Sequence, residues 1–267
     1  MSHRDSPIKK NKELKKPMDL FNTGFVGIVG GGAVASLIND TDLKALWNQD
    51  EASGNLLNTS QAAAAISNSD LVPAGTAGHG ATGHIAGLDA YNYNGANGTL
   101  TQANGNINDY SFITKSGGVF TLMWWMKLNS AGSVYDICGT GGSTSNNIQI
   151  RHRGSVDQKF AFFFMNEGEL LTTLTVANTS YHFYMVQYDD AVGDLKMSVD
   201  NGTVETVASG LNVTNTSDAT DTWGFGDVGT AHEFTGDIQQ FLMFNKIVSA
   251  GDITSVYNSG SGAIFYP

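Results

Sequence analysis

Few residues of this chain have the type and spacing that chemistry needs. Glu167 and Glu169 stand two apart in MNEGELL. A glycosidase pair must flank the bond at about 5–5.5 Å for retention or about 6.5–9.5 Å for inversion. Gly168 lies between them and no third acid follows, so the segment reads as a loop. His79 and His84 stand in GTAGHGATGHIAG, without a cysteine. Zinc asks for three or four ligands, so this pair is no metal site. His152 and His182 fall on strand patterns and read as surface or satisfied side chains. Cys138 is the sole cysteine, which excludes an intrachain disulfide. No G-x-S-x-G elbow is present, and Cys138 reads as a buried small apolar residue. Gly30-Gly31-Gly32 lacks the Lys-Ser/Thr of a phosphate loop. Carbohydrate recognition remains, because sugar faces stack on aromatic rings. Trp125, Tyr184, Tyr188 and Trp223 are the candidate platform. The competing reading puts these rings in the core, which aromatics dominate.

The elements that must position such residues are mostly strands. GVFTLMWWMKLN alternates with period two. Phe120, Leu122, Trp124, Met126 and Leu128 share one face, and Val119, Thr121, Met123, Trp125 and Lys127 the other. Phe160, Phe162 and Phe164 share a face of the next aromatic run. DLKMSVDNGTVETVA reads as two strands joined at Asn201-Gly202 by a type I′ turn, with Leu195, Met197 and Val199 inward. The stretch 61–96, rich in Ala, Gly and Ser, reads as long loops with short strands. Short strands with glycine-rich turns predict a β-sandwich.

The N-terminal part differs. Residues 1–19 carry six Lys/Arg against three Asp/Glu, a net of +3, and the remainder carries eight against 22, a net of −14. The acidic body excludes nucleic-acid binding by the main domain, since phosphate contact needs a basic surface. Residues 20–38 are apolar and glycine-rich. They read either as an anchoring segment or as a signal peptide with AVAS as its small-residue site. Gly24 to Ile38 is too short for a membrane span, which needs about 20 residues. Only 15% of residues are charged, so Gly, Asn, Thr and Ser must make much of the surface.

Three segments carry a family resemblance. FTGDIQQFLMFNKIVSAGDITSVYNSG, Phe234 to Gly260, runs glycine turn, apolar strand, then a polar segment with an aromatic. DLKALWNQDEASGNLL places Trp47 before Asp50, Glu51, Ser53, Gly54 and Asn55, and SVDNG ends in an aspartate-asparagine-glycine turn. The chain resembles laminin G-like domains of the concanavalin A-like lectin/glucanase superfamily over roughly residues 42–262. The resemblance implies an all-β, two-sheet antiparallel jelly-roll sandwich in residues 42–267, with residues 1–41 as an extended arm. The superfamily's glucanases carry Glu, apolar, Asp, apolar, Glu, which is missing here, so the chain is expected not to be an enzyme. No cofactor is required. Many such domains hold Ca²⁺ at the rim with carboxylate and carbonyl oxygens, and Asp109, Asp136 and Asp227 are the matching suppliers. An acid often follows the isoleucine of the closing strand, where Gln239 stands here, with Asp237 two residues earlier.

The resemblance also implies a role. Laminin G-like domains occur on bacteriophage decoration proteins, fibres and tail parts. The expectation is a structural or adhesive protein on a virion surface, forming a homo-oligomer and binding host glycans. The arm would join neighbouring subunits through Lys9, Lys10, Lys12, Lys15 and Lys16 and through Phe21, Phe25, Val26, Ile28 and Val29. The alternative is a secreted or cell-surface carbohydrate-binding domain with a cleaved leader.

Overall fold

A computed structural model describes residues 33–60, 66, 70–74, 78–95, 99–102, 107–141, 147–164, 167–177, 179–218, 222–226 and 232–265. The anchor residues between Lys9 and Val29 lie outside this set, as does Asp227.

The chain forms the two-sheet antiparallel sandwich that its alternation implies. Its strands are β1 (Leu43–Trp47), β2 (Leu71–Ala74), β3 (Gly78–Thr82), β4 (Asp89–Asn94), β5 (Thr99–Gln102), β6 (Val119–Leu128), β7 (Val134–Gly139) and β8 (Ile148–Arg153). They continue with β9 (Lys159–Phe164), β10 (Glu169–Thr175), β11 (His182–Asp189), β12 (Asp194–Val199), β13 (Glu205–Ala208), β14 (Gly224–Phe225) and β15 (Thr235–Phe244). Among the described residues, eight strands make one sheet in the order β13-β12-β11-β6-β15-β4-β3, with β1 also paired to β15. Seven make the other, in the order β10-β9-β8-β7-β14-β5-β2. Among the described residues, helix is confined to α1 (Ala33–Ile38), α2 (Ser111–Thr114), α3 (Ala250–Tyr257) and two 3-10 turns.

Two cores hold these layers. Between the sheets, Phe120, Leu122, Trp124 and Met126 of β6 meet Phe160, Phe162 and Phe164 of β9, and Tyr184, Leu195, Met197 and Phe241 join them. Each such side chain contributes on the order of 1.5–3 kcal/mol by leaving water. The second core covers the outer face of the eight-stranded sheet. There Met123, Trp125, Phe183, Met185, Leu242 and Phe244 lie under Leu37 of α1, Ile253 and Val256 of α3, Ile85, Leu88 and Phe265. Strand β6 is therefore apolar on both faces because both are buried. Leu37 is fully packed, and Lys246 Nζ bonds the Asp40 carboxylate.

Two local geometries differ from the sequence reading. The type I′ pair is Asp200-Asn201, both at φ 53°, with Gly202 N donating to Val199 O at 2.9 Å. The turn stands one residue earlier than Asn201-Gly202 would put it, and pairing resumes only at Met197↔Glu205. Asp200 tolerates positive φ because its carboxylate is bonded on both oxygens, as described below. In β15, Gln239 faces Trp125 and Leu242 faces Met123, so Gln240 and Phe241 together oppose Trp124. This bulge, with Gln240 at φ 50°, falls where β15 changes neighbour from β4 to β1.

Candidate functional site

The four nominated rings are all in the cores. Tyr184 is fully buried and stacks on Trp124 at 5.3 Å. Tyr188 packs edge-on against Phe164 at 4.6 Å, and its hydroxyl donates to Asp190 Oδ1 at 2.5 Å. Trp223 lies against Phe241 and Tyr110. Trp125 is 2% exposed. Tyr184 and Tyr188 lie on the inner face of the eight-stranded sheet, and Trp223, next to β14 of the other sheet, packs between the layers against Phe241, so none of the three offers a face to a sugar. Trp125 differs, because its cover is a loop side chain. His84 stacks on it with centroids 4.2 Å apart and planes 27° apart, and Tyr257 lies nearly parallel to it at 5.8 Å.

Of the calcium candidates, Asp136 and Asp109 lie among the described residues and Asp227 outside them. Asp136 sits in β7, where its Oδ1 receives Arg151 Nε at 2.5 Å. The Arg151 guanidinium in turn lies 4.6 Å over the Phe163 ring. Asp109 stands in the 3-10 turn Ile107–Tyr110. No group of three or more His, Cys, Asp or Glu forms among the described residues.

A polar row on the outer face of the eight-stranded sheet was not assembled by sequence reasoning. Strand pairing aligns Lys127 of β6 with Asp237 of β15 and Asp237 with Asn92 of β4. The Asp237 side chain is 3% exposed. Lys127 Nζ reaches it at 2.5 Å, Asn92 Nδ2 donates to it at 2.5 Å, and Tyr181 Oη lies 3.3 Å away. Lys127 also stands 5.3 Å from the centre of the Tyr181 ring. Burial first, and then the Asp237 carboxylate, push the Tyr181 phenol well above its usual range. Tyr181 is therefore a donor, to Asp237 or to Thr82 O at 3.2 Å. The signal available in the sequence was parity, since Lys127 follows Trp125 by two residues on one strand face.

The loop beside this row is held by Gln239. Its Oε1 accepts from His84 N and Ile85 N at 2.9 Å each, and its Nε2 donates to Leu88 O at 3.0 Å and Asp89 O at 2.7 Å. An acid at this position would lose both donated bonds. His84 Nε2 lies 2.6 Å from Gly260 O, and since a carbonyl only accepts, Nε2 carries the proton. Half-buried His84 and Tyr257 thus lie against Trp125, and Tyr181, packed on His84, links them to Lys127, Asp237 and Asn92. Flat apolar rings with donors and acceptors at their edge suit the amphipathic face of a sugar.

No known protein family matches the chain, and no curated protein matches it. Its fold is known. The sandwich superposes on a Trypanosoma rangeli sialidase in complex with sialic acid with a TM-score of 0.59 at 10% identity, over 84% of this chain and 34% of the other. The binding domain of botulinum neurotoxin DC in complex with SialylT gives 0.59 at 16% identity, over 83% of this chain and 52% of the other. The same toxin domain in complex with rat synaptotagmin II gives 0.57 at 14% identity, covering 82% and 51%. The chain spans about a third of the sialidase and about half of the toxin domain. Likeness at this identity shows the fold, which is concanavalin A-like. It also corrects the expectation of a non-enzyme. The sandwich is shared with chains that are sialidases, so a missing carboxylate run does not set it apart from enzymes. Among the described residues no helix is long and apolar enough to cross a membrane.

Proposed function

We propose that the chain is a glycan-binding module whose contact surface is the outer-face cluster of the eight-stranded sheet. The observation that carries this is the stack of half-buried His84 and Tyr257 on Trp125, with Tyr181 packed on His84, beside the Lys127–Asp237–Asn92 row. The neighbours add support, because the sialidase was solved in complex with sialic acid and the toxin domain in complex with SialylT. The finer reading is a laminin G-like adhesive domain on a virion surface, joined to neighbouring subunits by residues 1–41. Its support is the sequence resemblance.

Titration of sialyllactose and of lactose, followed by protein NMR, tests the module. Binding should shift His84, Tyr181 and Tyr257, and Tyr181→Ala or Lys127→Gln should weaken it about tenfold, as expected for one lost aromatic or charged contact. Binding of neither sugar, or binding unaffected by Tyr181→Ala, overturns the site. Release of free sialic acid during the titration would move the reading from recognition to turnover.

A further inference from the structure

We infer that the His84 imidazole is a displaceable cover over Trp125, and that a sugar ring takes its place on the indole. The inference rests on the glycan-binding reading above. The two rings lie 4.2 Å apart and 27° from parallel, the arrangement a flat ligand would adopt on the same indole. Trp125 Nε1 is a buried donor without a partner, and such a group costs about as much as a lost hydrogen bond. A ligand hydroxyl would satisfy it. Gly262, at φ 69°, lets the chain pass close to that nitrogen, since an added Cβ would stand 3.1 Å from Nε1 and 2.5 Å from Ile85 Cγ1.

The loop backbone cannot move to open this face. Four bonds from Gln239 hold it, and a Cβ on Gly83 would fall 2.3 Å from both Gln239 Nε2 and Leu88 O. The imidazole is held by less, one bond to Gly260 O and its stacking contacts. Rotation of the His84 side chain alone therefore frees the part of the indole face that the imidazole covers. Tyr257 then flanks the ligand, and Lys127 and Tyr181 stand in the neighbouring outer row. While His84 is seated, the apparent affinity falls in proportion to the open fraction.

The test compares wild type, His84→Ala and His84→Phe, titrated with sialyllactose and with lactose and read by indole fluorescence. Trp47, Trp124 and Trp223 are fully buried and serve as a constant background. His84→Ala should bind at least one sugar about tenfold tighter, the factor expected when one hydrogen bond and one ring contact stop competing. His84→Phe keeps a ring without the bond to Gly260 and should fall between, with near-UV circular dichroism confirming that both variants fold. If wild type binds and both variants bind more weakly, His84 is itself a ligand contact, and if they bind equally, it neither covers nor contacts the ligand. The inference then fails while the module stands. If wild type and both variants bind neither sugar, the module fails and the cover with it.

Discussion

Asp200 shows how one side chain supports an unusual backbone. At φ 53° it occupies a region that non-glycine residues seldom enter. Its Oδ1 accepts from Phe183 N at 2.9 Å, and its Oδ2 lies 2.6 Å from His182 Nδ1. Burial pushes its carboxyl up, but these bonds outweigh burial and hold it below its ordinary 3.8. A depressed acid contributes stability above its unfolded value and loses it as pH falls through the folded one. Asp200→Asn should therefore lower the melting temperature near neutral pH, and its gap to wild type should close as pH drops below 3.8. The side chain is 40% exposed, so the shift should be only a few degrees. A gap that stays constant in acid would mean that ionisation is not its source.

At the scale of elements, the open edges of the two sheets meet at one side chain. Strand β10 ends the seven-stranded sheet and β13 ends the other. Glu205 of β13 accepts from Thr173 N at 2.6 Å and Leu174 N at 3.1 Å, where β10 breaks register with β9. A carboxylate on two edge amides both ties the sheets and blocks strand addition. Glu205→Ala should cost about 1–3 kcal/mol in denaturant unfolding and produce concentration-dependent association in size-exclusion chromatography. An unchanged midpoint with a monodisperse profile would remove Glu205 from both roles. The same scale explains what strand patterns could and could not convey. Alternation in β6 placed Trp124 and Trp125 on opposite faces, as observed. It could not say that both faces are buried, because that depends on α1, α3 and the 83–88 loop, which are distant in sequence.

For the whole molecule, the boundary between arm and sandwich decides how anchoring can be tested. Leu37 is packed in the second core and Asp40 bonds Lys246. Removing residues 1–40 would therefore damage the sandwich itself. Removing residues 1–32 deletes Lys9–Lys16 and Phe21–Val29 and spares those contacts. The shorter deletion should leave the melting temperature within about 2 °C of wild type, while the longer one should lower it by about 5 °C or more, as loss of a buried leucine implies. If residues 1–41 anchor the protein to an assembly, the shorter deletion should also abolish incorporation. Normal occupancy after that deletion would end the anchoring proposal.

The sequence by itself determined the class of fold. Period-two alternation, glycine turns and few charges leave little besides a β-sandwich, because these are local properties and strands are built locally. It also located the residues that matter without their roles. Trp125 reads as a stacking platform, His84 as one half of a pair too small for zinc, and Gln239 as the place of a missing acid. Only the tertiary structure decided that these three come together. Gln239 is 155 residues from His84 in sequence, and Lys127 meets Asp237 and Asn92 across three strands whose register no local pattern encodes. It likewise decided that Tyr184, Tyr188 and Trp223 are core, since a ring on a strand face becomes ligand surface or interior according to what the opposite sheet covers. The covering layer is a long-range product of chain topology, and a single sequence read residue by residue does not contain it.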